Sequence, residues 1–146
     1  MRRMATEDKG WTKVKVIMDS GAAESVCPRT MAPQFPIQDS LGSRAGVYYT
    51  SANGGKIMNL GEQQVPVCLS NGARTIATFQ VADVSRPLMS VGKMFEMGNR
   101  VIFGANGGVI LSLQTGQVTL FIKDEGVYTF EMWIPPLSES PFGRPR

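Results

Sequence analysis

Asp19 is the residue best placed for chemistry. It ends the run Val14-Lys15-Val16-Ile17-Met18 and is followed at once by Ser20-Gly21-Ala22-Ala23. A carboxylate carried to the end of an apolar run and into a turn of small residues can accept hydrogen bonds from backbone N–H groups and from the Ser20 hydroxyl, and Gly21 lets the chain fold back close to it. A carboxylate held in this way can serve as general base or general acid. The same residues also make an ordinary Asx-type turn between strands, so this stretch alone does not specify catalysis.

Composition narrows the alternatives. The 146-residue chain contains no histidine, which removes Ser-His-Asp and Cys-His nucleophilic sites and the commonest zinc ligand. Its only thiols, Cys27 and Cys68, are too few for a zinc site and too far apart in sequence for a C-x-x-C redox pair. Both are expected to be buried free thiols, with a bridge left open. No metal or cofactor is expected, and metal-free hydrolysis leaves carboxylate acid–base catalysis. A phosphate-cradling loop is not read at Gly104-Ala105-Asn106-Gly107-Gly108, because the G-x-x-x-x-G-K-[ST] pattern is missing.

The net charge of +3 does not point to nucleic acid. The leader and the tail each contribute +1, and no basic stripe interleaved with aromatics occurs between them. No apolar run approaches the roughly 20 residues of a membrane span. Met1 to Lys9 is charged without an apolar core, so no secretory signal is read and an intracellular, cytoplasmic setting is expected.

The elements that must position Asp19 follow from periodicity. Val14, Val16 and Met18 share one face and Lys13 and Lys15 the other, the period-2 pattern of a half-buried strand from Trp11 to Met18. Glu24 to Cys27 is expected as a short second strand, stopped by Pro28. Pro28, Pro33 and Pro36 then punctuate a long exposed loop reaching Leu41-Gly42-Ser43. Val47 to Ala52 and Lys56 to Leu60 flank Asn53-Gly54-Gly55, a hairpin whose tip has little side-chain bulk. A second hairpin joins Gln63–Leu69 to Ala73–Val81. Val91, Met94, Phe95 and Gly98 fall at helical spacing, predicting one short helix near residues 91–98 with that face inward and a glycine C-cap. Val101–Phe103 resumes β-structure, Val109–Gln114 and Gln117–Ile122 make a third hairpin, and Val127–Phe130 is a last strand.

These elements describe an all-β fold, a small closed or partly closed barrel. The expected division is a disordered leader at 1–10, one domain at 11–134 and a Pro-rich tail at 135–146.

Ile17-Met18-Asp19-Ser20-Gly21-Ala22, the Asn53-Gly54-Gly55 hairpin and Leu88-Met89-Ser90-Val91-Gly92 before a helix, in that order, resemble the retropepsin-like aspartic peptidases, in particular those of copia-like retrotransposon polyproteins. The resemblance covers residues 11–103 as the peptidase core, and residues 104–134 resemble a hairpin extension that trails it. It implies an acid-protease-like barrel with Asp19 as catalytic carboxylate, Ser20 bracing it and Gly21 offering its amide. Ala22, Ala23, Asn53, Gly54 and Gly55 would contact substrate, the last three as a mobile flap, and Val91-Gly92 would pack beneath the catalytic turn. Where related chains place an acidic residue two positions after the motif glycine, this one has Ala23, and Lys93 is expected to pair with Glu24 instead.

Such enzymes need two carboxylates sharing one proton. Asp39, Asp83 and Asp124 do not lie in a second Asp-Ser/Thr-Gly turn, so the resemblance implies a homodimer through the active-site face with Asp19 from each copy. The partner it implies is an extended polyprotein segment. The competing expectation is an inactive barrel of the same fold that binds or assembles with other proteins.

Overall fold

The computed structural model describes residues 10–51 and 53–139. β1 (Thr12–Asp19) turns Val16 and Met18 into the core and keeps Lys13 and Lys15 outside, as its alternation demands. β2 (Val26–Cys27) is only two residues long. Then follow α1 (Leu41–Arg44), β3 (Tyr48–Thr50), β4 (Lys56–Met58), β5 (Gly61–Leu69), β6 (Arg74–Val81), β7 (Leu88–Ser90) and α2 (Val91–Glu96). β8 (Asn99–Phe103), β9 (Gly107–Ser112), β10 (Val118–Asp124) and β11 (Val127–Ile134) complete the strands, before a 3-10 turn at Leu137–Glu139. The expected β-rich architecture is present.

The strands run β1-β7-β2-β6-β5-β11, and β11 pairs again with β1, so six strands close into a ring. β10, β9 and β8 continue the sheet outward from β11. β3 and β4 form a separate two-stranded hairpin. Val16, Val65, Phe79, Val81, Met132 and Ile134 fill the ring, all essentially inaccessible. Burying side chains of this size stabilises by about 1.5–3 kcal/mol each.

The segment 104–134 is not an appended hairpin. β11 pairs with β1 from Thr12↔Ile134 to Ile17↔Thr129 and also touches β5 at Met132↔Leu69. The ring is open without it, so the division into a core at 11–103 and a trailing hairpin does not hold. Phe130, Met132 and Ile134 point inward on this strand, which is the physical reason it belongs to the barrel.

Three other expectations change. The Pro-punctuated loop is not simply exposed: Ala32 and Phe35 are buried, and residues 41–44 form a helical turn capped by Ser40. The buried amide of Gln63 donates to the carbonyls of Ala32 and Phe35, 2.9 Å each, and so fastens the loop to β5. In α2 only Val91 and Met94 are buried, while Phe95 is 47% exposed, because the helix is a turn and a half long and its inner face is correspondingly narrow. The tail does not begin as a free linker: Pro135 is buried, and its carbonyl accepts from Gln34 Nε2 at 2.9 Å. The expected leader at 1–9 and the tail from 140 onward lie outside the described residues.

On the outer strip, Phe103, Phe121 and Tyr128 meet edge to face with centroids 4.9–5.7 Å apart. Gly108 makes this possible. A Cβ there would collide with the Ile102 carbonyl oxygen and stand 2.6 Å from the Phe121 ring. Among the described residues no helix is long and apolar enough to cross a membrane.

Candidate active site

β1 ends on Asp19, half-buried, where it runs parallel to β7 with Asp19 opposite Ser90. Asp19 Oδ1 accepts a hydrogen bond from the Gly21 N–H at 2.8 Å, so the backbone does fold back onto the carboxylate. The expected bond from Ser20 is missing: its exposed hydroxyl makes no hydrogen bond among the described residues. Gly21 is likewise less constrained than its type suggests. A Cβ at this position would meet only Asp19 Oδ1, at 3.5 Å, an ordinary contact. Within one copy of the chain, glycine at position 21 is not demanded by packing.

Ser90 holds the turn in place. Fully buried, it donates from Oγ to the Ala22 carbonyl at 2.7 Å, accepts from the Lys93 N–H at 3.1 Å as the N-cap of α2, and donates its own N–H to Ser25 Oγ at 2.9 Å. One side chain thus joins the Asp19 turn to the helix beside it. Val91 is buried and Gly92 is exposed, and the hydrogen bond to the turn comes from Ser90. The pairing expected for Lys93 is present, 3.8 Å from Glu24 and 3.6 Å from Glu96. Both pairs are well exposed and worth at most about 1 kcal/mol.

The β3–β4 hairpin has the expected glycine tip, with Gly54 at φ +87 and Asn53, Gly54 and Gly55 all exposed. Asn53 Oδ1 and Ser51 Oγ both accept from the Gly55 N–H. The base of the hairpin is set by Asn59, which is buried. Its Nδ2 donates to Tyr49 Oη at 3.1 Å and Gln80 Oε1 at 2.9 Å, and its Oδ1 accepts from the Gly61 N–H at 2.8 Å. Burial raises the Tyr49 phenol above its ordinary pKa, against a lowering contribution from the Asn59 bond.

Sequence reasoning gave Asn59 no role and named Ser90 only as part of the stretch Leu88-Met89-Ser90-Val91-Gly92. A small hydroxyl residue immediately before a helical run is an N-cap signal, so Ser90 had a local mark. Asn59 had only the local Asx turn to Gly61; its partners Tyr49 and Gln80 lie 10 and 21 residues away.

Among the described residues no second carboxylate is hydrogen-bonded to Asp19. Arg29 pairs with Asp83 at 3.0 Å and Lys15 with Asp124 at 2.9 Å, so two of the other aspartates are engaged in surface ion pairs. Among the described residues no group of three or more His, Cys, Asp or Glu side chains could hold a metal. Cys27 and Cys68 are free thiols. Cys27 donates to Gln63 Oε1 at 3.6 Å, and burial pushes its pKa up to about 12, so it is a poor nucleophile.

A groove of about 870 Å³ opens next to the turn. Ala23, Glu24 and Ser25 border it at one end, Val47, Tyr49 and Asn59 at the hairpin base, and it continues along β6; Asp19, Ser20, Gly21 and Ala22 are not on its wall. The carboxylate therefore does not line this groove. No protein-family model matches this chain, and no curated protein matches it.

Proposed function

We propose that the chain is one half of a homodimeric aspartic endopeptidase of the retropepsin-like kind, acting on extended segments of a polyprotein. The observation that carries this reading is a half-exposed carboxylate at a strand end whose one hydrogen bond among the described residues is from the Gly21 N–H, in a chain without histidine. A lone carboxylate cannot supply both base and acid. Asp19 from a second copy completes the pair, and the slack at Ser20 and Gly21 within one chain leaves room for that approach.

In the paired site one Asp19 is ionised and its twin protonated, since like charges in contact cannot both ionise. The ionised carboxylate takes a proton from water as the water oxygen bonds to the scissile carbonyl carbon, and the protonated one gives its proton to the carbonyl oxygen. When the tetrahedral intermediate collapses, the C–N bond breaks, the Asp19 that took the water proton gives it to the leaving nitrogen, and a hydroxyl of the intermediate returns a proton to the other Asp19, giving a free acid, an amine and the starting pair. The β3–β4 hairpin, glycine-tipped and joined to β6 through the Asn59 side chain and the Leu60 N–H, serves as the cover that excludes water.

The second reading, a non-catalytic binding barrel, is favoured by one observation: the groove runs past Ala23 without reaching Asp19. Asp19→Asn decides between them. On the peptidase reading it abolishes cleavage of a denatured protein substrate at mildly acidic pH and leaves the melting temperature within a few degrees of wild type. Equal cleavage by this variant, or none by the wild type at any such pH, favours the binding barrel.

A further inference from the structure

β6 is paired with β5 along its whole length, but β2 covers its other edge only at Gln80 and Val81. Backbone groups alternate sides along a strand, so the register fixes which ones remain. The Gln80 N–H donates to the Ser25 carbonyl at 2.8 Å on the β2 side. Two and four residues earlier, Thr78 and Ile76 direct their N–H and C=O groups to that same side, where no strand runs. The residue opposite Ile76 on β5 is Pro66, which has no N–H to donate, in keeping with Ile76 pointing its groups outward. Among the described residues these groups have no partner.

This bare edge forms one wall of the groove. Because β2 is so short, the sheet is least covered beside it, and there the half-buried Met89, backed by the buried Val67, Phe130 and Met132, gives the groove an apolar floor. At the far end stands Arg74, its guanidinium 5.5 Å from the Trp11 ring centre and in no ion pair among the described residues. An unpaired strand edge, an apolar floor and an unmatched cation together select one kind of occupant.

We infer that the groove takes an extended peptide, added as a strand to the free edge of β6, with apolar side chains at alternate positions facing the floor and an acidic side chain meeting Arg74. The peptide's backbone pairs with the Ile76 and Thr78 groups, and the carboxylate forms a charge-assisted bond with the guanidinium. This binding needs no chemistry at Asp19.

The test uses the full chain carrying Asp19→Asn, so that cleavage does not interfere, and a fluorescein-labelled peptide alternating Val and Thr with one terminal Glu. Saturable binding is expected, with the Ile76 and Thr78 amide resonances shifting and gaining protection from exchange. Thr78→Pro removes an outward N–H without touching the β5 ladder and is expected to weaken binding about tenfold or more. Arg74→Glu should weaken it comparably, and a peptide ending in Lys should recover the loss; this charge swap decides the matter if the proline variant does not fold. Absence of binding at millimolar peptide, saturable binding that leaves those two amides unmoved, or loss of self-association in Thr78→Pro would overturn the inference, the last because it would make the edge a contact between copies.

Discussion

Ser90→Ala isolates the link between the Asp19 turn and α2. The hydroxyl makes two bonds at once, donating to the Ala22 carbonyl at 2.7 Å and accepting from the Lys93 N–H at 3.1 Å, from a position with no solvent exposure. Losing the N-cap costs about 1 kcal/mol. Leaving the Ala22 carbonyl without its donor costs roughly another 1–2 kcal/mol. The main-chain bond from Ser90 N–H to Ser25 Oγ survives, so β7 stays in the sheet. The total of about 2–3 kcal/mol corresponds to a melting temperature lower by roughly 10 °C for a domain of this size. Urea unfolding measures it as a fall in midpoint at unchanged slope. Hydrogen exchange adds a local readout, because the Lys93 amide loses its acceptor and should exchange faster. Ser85→Ala, at an exposed position, is the control and should change stability by less than about 0.5 kcal/mol. If Ser90→Ala stays within that same margin and the Lys93 amide remains protected, the fastening role of Ser90 is refuted.

Alkaline pH should expose the buried thiol. Cys27 keeps its proton in the folded chain to about pH 12, while in the unfolded chain it ionises near 9.0, so stability falls as pH rises above 9 by about 1.4 kcal/mol per unit from this group alone. Cys27→Ser should flatten the stability profile between pH 9 and 11 relative to wild type, and parallel profiles would contradict this. Gly21→Ala should leave the melting temperature within about 2 °C, since the added methyl meets only an ordinary contact, yet lower peptide cleavage at least about tenfold on the dimeric reading. Unchanged cleavage would argue against close approach of two turns. Gly108→Ala should cost about 3–5 kcal/mol, measured by urea midpoint, because its methyl has nowhere to go between the Ile102 carbonyl and the Phe121 ring; a cost below about 1 kcal/mol would mean that the outer strip adapts freely.

Local pattern made much of this fold legible. The alternation of Val14, Val16 and Met18, the Asn53-Gly54 turn and the spacing of Val91 and Met94 each depend on neighbours within a few residues, and each yields the expected element. What escaped depends on distant pairing. The closure of the ring joins Thr12 to Ile134, and no short window of sequence records that register. Gln63, a polar side chain in line with Val65 and Val67, is inside because two carbonyls of the Pro-rich loop need its amide, and those carbonyls belong to residues about 30 positions away. The bare edge of β6 follows from the two-residue length of β2, which is followed at once by Pro28. For the candidate site, the type and turn of Asp19 were legible, whereas the idle Ser20 hydroxyl and the bond from Ser90 to the Ala22 carbonyl emerged only from three-dimensional contacts.

Subunit mixing tests the central claim most directly. Wild-type chain is held at fixed concentration, an equal amount of Asp19→Asn chain is added, and peptide-bond cleavage is measured after exchange of partners. If the working site takes Asp19 from each of two copies, mixed pairs are dead and the rate falls to about half that of wild type alone. A rate untouched by the added variant would mean that each chain acts by itself, and the shared-carboxylate account would be contradicted.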